Sequence, residues 1–220
     1  MKIDHIHPWN VTPSEARHIQ INLSSRVSTK DDFYKIKNIA GVEVGYKKNG
    51  AVAVIVVLSF PDLEKLELQI TVSSISFPYI PGLLSFREIP ALMKTLEKLE
   101  TIPDLIIADG HGIAHPQRIG FASHLGLITG LPVIGCARSR LTGSFQPPDR
   151  EKGSYSYLYD KNDIIGAVVR TRDGVSPVFV SPGHKISLET AVEYVLKCAV
   201  KYRLPEPLRA AHTLAVSGSP

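Results

Sequence analysis

Three apolar stretches, rich in β-branched residues, follow one another from residue 39 onward. They cover residues 39–46, 51–60 and 66–75. Runs of this length and composition, bounded by polar residues, predict β-strands. Asn49-Gly50, between the first two runs, is a strong signal for a tight hairpin. The pattern therefore predicts an antiparallel meander of three strands.

Helical spacing marks the segments around this meander. Thr12 and Glu15 have the spacing of a capping box, with Pro13 at the first helical position, and predict a helix to about residue 27. Residues 28–38 are polar and predict a loop. Apolar periodicity predicts three further helices, over residues 86–99, 117–128 and 187–200, the last of which is the final helix. Pro90 is expected in the first turn of the helix over residues 86–99.

The second half of the chain adds short apolar strands. Residues 104–109 form one that ends at a glycine-rich turn, and residues 131–137 form another. Residues 163–171 and 175–180 predict a hairpin around Asp173-Gly174, whereas residues 141–162 predict a long surface excursion. This order predicts an α/β fold with a sheet of mixed direction, in a single domain over residues 1–220.

Composition narrows the classes of partner and compartment. The chain has 220 residues, 44% of them hydrophobic, which is enough for one packed domain. A net charge of +4 permits a polyanionic partner without requiring one. Cys136 and Cys198 lack the spacing of a disulfide framework or a zinc knuckle. The absence of a signal region and of a long apolar segment predicts a cytoplasmic protein that does not enter membranes. A monomer is expected, because the sequence shows no oligomerisation element.

Three acidic residues stand out as candidate metal ligands. Glu43 lies inside the first apolar strand, where a charge needs a partner. Asp109 ends a buried strand, the place where open α/β sheets position ligand sites. Glu88 opens a helix that is expected to pack across the sheet. Oxygen ligands favour Mg²⁺ or Mn²⁺ over zinc. On the residues alone, Glu88 as a first-turn acid and Asp109 as a turn residue remain alternatives.

A proline-bounded tip precedes the second predicted helix. Pro78 and Pro81 restrict the backbone around Tyr79 and Ile80, which produces a stiff apolar loop. Such a tip can enter a base stack as a wedge, or it can be a core tyrosine beneath a proline-rich turn. The residues alone leave both readings open.

Four long motifs, in order along the chain, resemble those of the endonuclease V family of deoxyinosine-directed repair nucleases. They are PYIPGLLSFRE from residue 78, DGHGIAHP from residue 109, GFASHLGL from residue 120 and RLPEPLRAAH from residue 203. The resemblance is collinear from about residue 39 to residue 212. It implies a ribonuclease H-like fold, which agrees with the predicted order of strands and helices.

The resemblance also implies roles for individual residues. Glu43, Glu88 and Asp109 match three acidic metal-binding positions, and His212 matches a histidine of the same site. Glu43 stands where the family typically has aspartate. Its extra methylene would require a shifted strand, binding through water, or a lower rate, because Mg²⁺ demands near-ideal distances. Arg138 stands where relatives usually carry a lysine near the scissile phosphate, and arginine cannot act as a proton donor.

Base recognition follows from the same resemblance. The match implies a strand-separating wedge, a hypoxanthine pocket and a further DNA-binding histidine. The wedge is Pro78, Tyr79, Ile80 and Pro81. The residues that line the hypoxanthine pocket are Gly82, Leu84, Gly110 and Leu141. The DNA-binding histidine is His115, which would contact a phosphate or orient a site carboxylate.

The expected activity is metal-dependent hydrolysis of DNA that contains deoxyinosine. By resemblance, cleavage falls at the second phosphodiester bond 3′ to the lesion and leaves 3′-hydroxyl and 5′-phosphate ends, with Mg²⁺ or alternatively Mn²⁺ as cofactor. Two alternatives remain. One is an inosine-specific ribonuclease acting on RNA. The other is a hypoxanthine-binding protein that cleaves weakly because of Glu43.

Overall fold

The computed structural model describes residues 1–48 and 50–217. Within this part of the chain there are five helices and eight strands, and the strands form one sheet. The strands are β1 Asn38–Lys47, β2 Gly50–Ser59, β3 Lys65–Ser73, β4 Leu105–Ala108, β5 Val133–Ala137, β6 Tyr155–Asp160, β7 Asp163–Val169 and β8 Val178–His184. The helices are α1 Pro13–Ser24, α2 Leu84–Glu97, α3 Phe121–Thr129, α4 Leu188–Cys198 and α5 Glu206–Ser217.

The strand order across the sheet is β3-β2-β1-β4-β5-β8-β7-β6. Strands β1, β2 and β3 form an antiparallel meander, and β4 and β5 run parallel to β1. Strands β8, β7 and β6 add an antiparallel half. This arrangement confirms the predicted mixed sheet of a three-strand meander and parallel strands, flanked by helices.

Alternation along the central strands directs side chains to two separate cores. Val42 and Ile106 pack with α2 and α3 on one face, whereas Ile39 and Ile107 pack with α4 on the other. Residues one apart in a strand point to opposite faces, so a sheet covered on both sides needs nearly continuous apolar strands. The same alternation places a charged side chain at residue 43 on the face that α5 covers.

The first helix begins as predicted. The hydroxyl of Thr12 accepts a hydrogen bond from the Glu15 backbone N–H, and the Glu15 carboxylate accepts one from the Thr12 N–H, so the capping box is complete. The helix ends at Ser24, three residues earlier than expected. The predicted Asn49-Gly50 turn includes Asn49, which lies outside the described residues.

Helix boundaries differ from the predictions at two places. Helix α2 begins at Leu84, so Pro90 lies inside the helix rather than in its first turn, and Glu88 does not open it. The missing N–H of Pro90 leaves the carbonyl of Phe86 without its helical partner, a cost that the buried apolar face of α2 offsets. Helix α3 begins at Phe121 instead of residue 117, because Gly120 adopts the extended conformation of an N-cap.

Two elements were not predicted. The supposed surface excursion contains β6, an edge strand whose tyrosines and serines resemble a loop in composition, and only Leu158 of it is fully buried. Helix α4 is followed by α5, so it is not the last helix. Pro205 and Pro207 obscured α5, although a proline in the first helical turn costs little.

A buried histidine pair joins the N-terminal segment to α3. The His7 Nδ1–H donates to the Pro8 carbonyl at 2.7 Å, because a carbonyl can only accept. The His7 Nε2 is therefore the acceptor at 2.7 Å from the Nε2 of His124, which donates. Trp9 stacks on the His124 ring. Burial lowers the pKa of His124 to about 3 and also lowers the pKa of His7, so both rings are neutral at pH 7.

This pair predicts a loss of stability in acid. The unfolded chain protonates both histidines near pH 6.5, whereas in the folded protein their pKa values are lower, so the free energy of unfolding falls as the pH drops below 6.5. For His124, whose pKa is lowered to about 3, the fall is about 1.4 kcal/mol per pH unit. Urea unfolding at pH 7.5 and pH 5.0 measures the effect. We expect His124→Gln to show a shallower pH dependence than the wild type. His18→Gln, which alters an exposed histidine, serves as control. Equal pH dependence in all three proteins would contradict the assignment.

None of the helices in residues 1–48 and 50–217 has the length and apolarity that crossing a bilayer would require. Cys136 and Cys198 are both buried and unpaired with each other. Both lie in the apolar cluster on the face of the sheet that α4 covers.

Candidate functional site

Strand register places two of the predicted acids side by side. Ala108 of β4 lies opposite Val42 of β1 in the parallel pairing, and the Asp109 N–H donates to the Val42 carbonyl at 3.2 Å. Glu43 and Asp109 are the residues that follow this pair on the two strands. Their proximity is therefore a direct consequence of the β1–β4 register at the carboxyl end of β4.

Helix α5 adds His212 to the same place. It lies against β1 and β2, and the contact is so close that a Cβ on Gly41 would stand 1.9 Å from the Pro207 carbonyl oxygen. Only glycine allows the backbone of α5 to approach β1 this closely. The Nδ1 of His212 then lies 3.1 Å from Glu43 Oε1. The resemblance predicted His212 as a site residue, but the helix α5 that carries it was not predicted.

Glu43, Asp109 and His212 form a candidate cation site. One ligand atom from each side chain lies within 4.8 Å of the other two. The second carboxylate oxygen of Glu43, Oε2, is buried without a hydrogen-bond partner among the described residues. A buried carboxylate oxygen without a partner is costly, and a bound cation would compensate it. Two carboxylates and an imidazole suit Mg²⁺ or Mn²⁺ chemically.

Arg138 lies across this cluster. Its Nη2 donates to Asp109 Oδ2 at 2.7 Å and is 3.9 Å from Glu43 Oε1. Its Nη1 lies 3.1 Å from the Nε2 of His212. Because a guanidinium only donates, that Nε2 is unprotonated, and the neutral imidazole donates from Nδ1 to Glu43. The four side chains therefore form one hydrogen-bonded group.

Burial and neighbouring charges favour the neutral forms of Glu43 and His212. The pKa of Glu43 is raised to about 9, chiefly by burial and then by the negative charge of Asp109. The pKa of His212 is lowered, first by burial and then by the positive charge of Arg138. A divalent cation would reverse the balance for the carboxylates, since it favours their ionised form.

Glu88 lies apart from the three-residue cluster, on the wall of the adjoining cavity. Its Oε1 accepts a hydrogen bond from the Tyr46 hydroxyl at 2.6 Å. Burial raises the pKa of Glu88 to about 8, while the Tyr46 hydrogen bond acts in the opposite direction. The guanidinium of Arg87 stacks 4.8 Å above the Tyr46 ring. The sequence offered no signal for Tyr46, because an aromatic residue near a strand end is ordinary.

The three predicted acids lie on the wall of a cavity of about 500 Å³. The cavity is lined by Glu43, Glu88, Asp109 and Arg138, by the predicted pocket residues Gly82, Leu84, Gly110 and Leu141, and by Tyr79, Ile80, Pro81 and His115. Pro78 and His212 do not line it. Tyr79 is 69% exposed, so the alternative of a core tyrosine is wrong. The structure brings the tip, the pocket and the acids to one cavity.

His115 joins the tip to the cavity wall. Its ring is buried, with Nε2–H donating to the Gly82 carbonyl at 2.9 Å and Nδ1 accepting from the Gln117 N–H at 3.1 Å. Gln20 also donates to the Gly82 carbonyl, at 2.9 Å. Gly82 has a φ of +83°, which glycine adopts at little cost. His115 makes no contact with a site carboxylate here, and its DNA-binding role stays a prediction.

Gln20, Tyr46 and His111 are among the cavity residues that were not predicted. Gln20 and Tyr46 hold Gly82 and Glu88 through side-chain hydrogen bonds, and His111 lines the wall with its Nε2 3.0 Å from the Ser139 carbonyl. Burial lowers the pKa of His111. Gln20, in the amphipathic α1, could have been noticed as a polar residue on the buried face of that helix.

The chain is similar to known proteins in both sequence and overall structure. The family model described as Endonuclease V matches residues 21–213. Endonuclease V of Trichormus variabilis is 51% identical over 98% of this chain and 99% of its own length. The crystal structure of endonuclease V from Streptomyces avermitilis superposes with a TM-score of 0.90 at 41% identity, covering 96% of this chain and 94% of that one.

A solved structure with nucleic acid is also similar. Endonuclease V from Ciona intestinalis, in complex with a 24mer DNA that contains an inosine followed by a ribo-adenosine, has a TM-score of 0.81 and 30% identity. The match covers 93% of this chain and 96% of that one. The likeness extends over nearly the whole of both chains.

Proposed function

The chain belongs to the endonuclease V family, and we propose that it is a metal-dependent nuclease that cleaves DNA containing deoxyinosine. The observation that supports this most directly is the shared cavity: an acidic cluster suited to a cation, an exposed apolar tip and a base-sized pocket meet in it. Cleavage at the second phosphodiester bond 3′ to the lesion, with 3′-hydroxyl and 5′-phosphate products, is part of the proposal.

Glu43, Asp109 and His212 would hold the ion, which we propose is Mg²⁺ or, as an alternative, Mn²⁺. The unpartnered Oε2 of Glu43 fits such a ligand role. When bound, the ion supplies Lewis-acid polarisation of the phosphodiester and a nucleophile at near-neutral pH. Glu88 lies outside the compact group and is better suited to orient the attacking water, with its carboxylate held by Tyr46.

Arg138 would bind and orient the substrate backbone. Arg138 is half-exposed, so its planar guanidinium can pair with a phosphate. His212 is neutral and keeps its Nδ1–H on Glu43, which directs its Nε2 toward Arg138. Neither residue supplies a covalent nucleophile, and hydrolysis of the backbone needs none.

Recognition of the base would use the tip and the pocket. A stiff tip formed by Tyr79 and Ile80 can fill the space of an extruded nucleotide. Gly82 and Gly110 bring the main chain to the cavity wall without a side chain, while Leu84 and Leu141 supply apolar walls. Hypoxanthine lacks the exocyclic amino groups of adenine and guanine, so a close-fitting pocket can exclude both.

An inosine-specific ribonuclease is the second candidate. It is favoured by the ligand of the Ciona intestinalis protein, in which a ribo-adenosine follows the inosine. A ribose next to the lesion would present a 2′-hydroxyl that distinguishes RNA from DNA. A hypoxanthine-binding protein with weak cleavage remains the third reading, because Glu43 replaces the aspartate typical of the family. Monomeric state and cytoplasmic location remain predictions.

The deciding experiment compares three labelled substrates with Mg²⁺ and with Mn²⁺. They are a duplex with one deoxyinosine, the same duplex undamaged, and a matched RNA with inosine. We expect a single nick in the first, one nucleotide beyond the lesion, and no cut in the second. Faster cleavage of the RNA would support the ribonuclease instead. Binding without cleavage under either metal, with cleavage gained in Glu43→Asp, would support the binding protein.

A further inference from the structure

Arg138 makes the closest contacts with the acidic cluster of any basic side chain in residues 1–48 and 50–217. It donates to Asp109 at 2.7 Å, contacts His212 at 3.1 Å and approaches Glu43 to 3.9 Å. These are the three side chains that would hold a divalent cation. The guanidinium therefore already supplies positive charge where three ligand groups converge.

The bonding pattern of His212 makes sharing difficult. Its Nδ1–H is donated to Glu43, which leaves Nε2 as the one nitrogen with a free lone pair. Arg138 Nη1 already uses that lone pair. An imidazole nitrogen has a single lone pair in the ring plane, so it cannot accept from Arg138 and ligate a metal at once. Ligation through Nδ1 would instead require the bond to Glu43 to break.

Asp109 is also limited in its ability to bind Arg138 and a metal ion at the same time, although less strictly than His212. Its Oδ2 accepts from Arg138 Nη2 at a distance typical of a charge-assisted hydrogen bond. A carboxylate oxygen has more than one acceptor direction, but a cation and a guanidinium placed on the same oxygen repel each other. Both contacts therefore weaken when the ion binds.

We propose that Arg138 is an internal counter-ion that competes with the divalent cation for this cluster. The inference rests on the proposed metal site and extends it: the guanidinium holds the acids together in the metal-free protein and lowers the affinity for the ion. Occupancy by metal then requires the side chain to leave Asp109 and His212, which sets it free to pair with a phosphate.

Arg140 offers a matched control. It lies two residues further along on the wall of the same cavity, so its removal changes the net charge of the site region by the same amount. Its Nη1 donates to the Gly143 carbonyl at 3.0 Å, and its guanidinium lies over the Phe145 ring. It forms no hydrogen bond or salt bridge with Glu43, Asp109 or His212. General electrostatics affect both arginines, whereas direct competition affects only Arg138.

The experiment titrates the metal-free protein with Mn²⁺ and measures the free ion by electron paramagnetic resonance, without DNA. We expect Arg138→Met to bind Mn²⁺ about ten-fold or more tightly than the wild type, since two hydrogen bonds to charged or polar ligands no longer have to break. Arg140→Met should stay within about two-fold. Arg138→Lys, which keeps the charge with fewer donors, should fall between and covers a failure of the methionine variant to fold.

The outcomes test the competition by Arg138 separately from the metal site itself. Equal or weaker Mn²⁺ binding in Arg138→Met and Arg138→Lys overturns the competition, and so does equal tightening in Arg138→Met and Arg140→Met. Binding by the wild type that is lost in Asp109→Asn supports the metal site itself. If none of the proteins binds Mn²⁺, the metal site fails and the inference fails with it.

Discussion

Asp109→Asn is expected to abolish cleavage while leaving the fold and DNA binding in place. The substitution keeps the size of the side chain and removes its charge, so the candidate site retains one carboxylate instead of two. Arg138 also loses the anion to which it donates at 2.7 Å. Changes in partners of metal ligands alone typically cost 10–100-fold, so the loss of a ligand should lower the single-turnover rate by at least about 100-fold.

Two measurements separate chemistry from binding. Single-turnover cleavage of the deoxyinosine duplex with Mg²⁺ reports the chemical step, and fluorescence anisotropy of the same duplex reports binding. Asp62→Asn changes an exposed acid outside the cavity and should behave as the wild type. A cleavage rate for Asp109→Asn within about ten-fold of the wild type would remove Asp109 from the metal site.

Gly41→Ala is expected to destabilise the protein strongly and to displace His212. An added Cβ would lie 1.9 Å from the Pro207 carbonyl oxygen and 2.6 Å from the Leu208 nitrogen, so the start of α5 must move away from β1. Overpacking of this kind costs about 3 kcal/mol or more. The free energy of unfolding in urea measures the cost, and cleavage per folded molecule measures the displacement of His212.

Gly45→Ala is the graded companion. Its Cβ would lie 2.8 Å from the Ala215 carbonyl oxygen, near the other end of α5, and therefore demands a smaller shift. We expect a loss of stability that is measurably smaller than that of Gly41→Ala. If Gly41→Ala unfolds at the same urea concentration as the wild type, α5 does not lie against β1 as described.

Local patterns identified most of the sheet because each depends on near neighbours in the chain. The β-branched runs behind β1 and β2 needed burial on both faces, and Thr12 with Glu15 completes a capping box within four residues. The exceptions are equally physical. Strand β6 is a half-exposed edge whose composition resembles a loop, and α5 begins among prolines that its first turn tolerates.

Glu43 shows how far a single residue can carry an inference. A charge inside an apolar strand needs a partner, and the sequence predicted a metal ion shared with Glu88 and Asp109. The structure places Asp109 beside it through strand register and His212 through α5. It also shows the contacts of Arg138 with the acids and the Glu43 Oε2 that has no hydrogen-bond partner, which depend on rotamers and distances that no local pattern specifies.

The sequence by itself therefore determined the strands and helices with strong periodicity, the acids in need of partners, and the family to which the motifs belong. The tertiary structure alone decided which acids meet, that Glu88 is held by Tyr46 outside the compact cluster, and that Arg138 already occupies the ligand atoms. The physical reason is the separation along the chain of the residues that interact. Periodicity and capping arise within a few residues, whereas a metal site assembled from β1, β4 and α5 depends on packing between residues far apart in the chain.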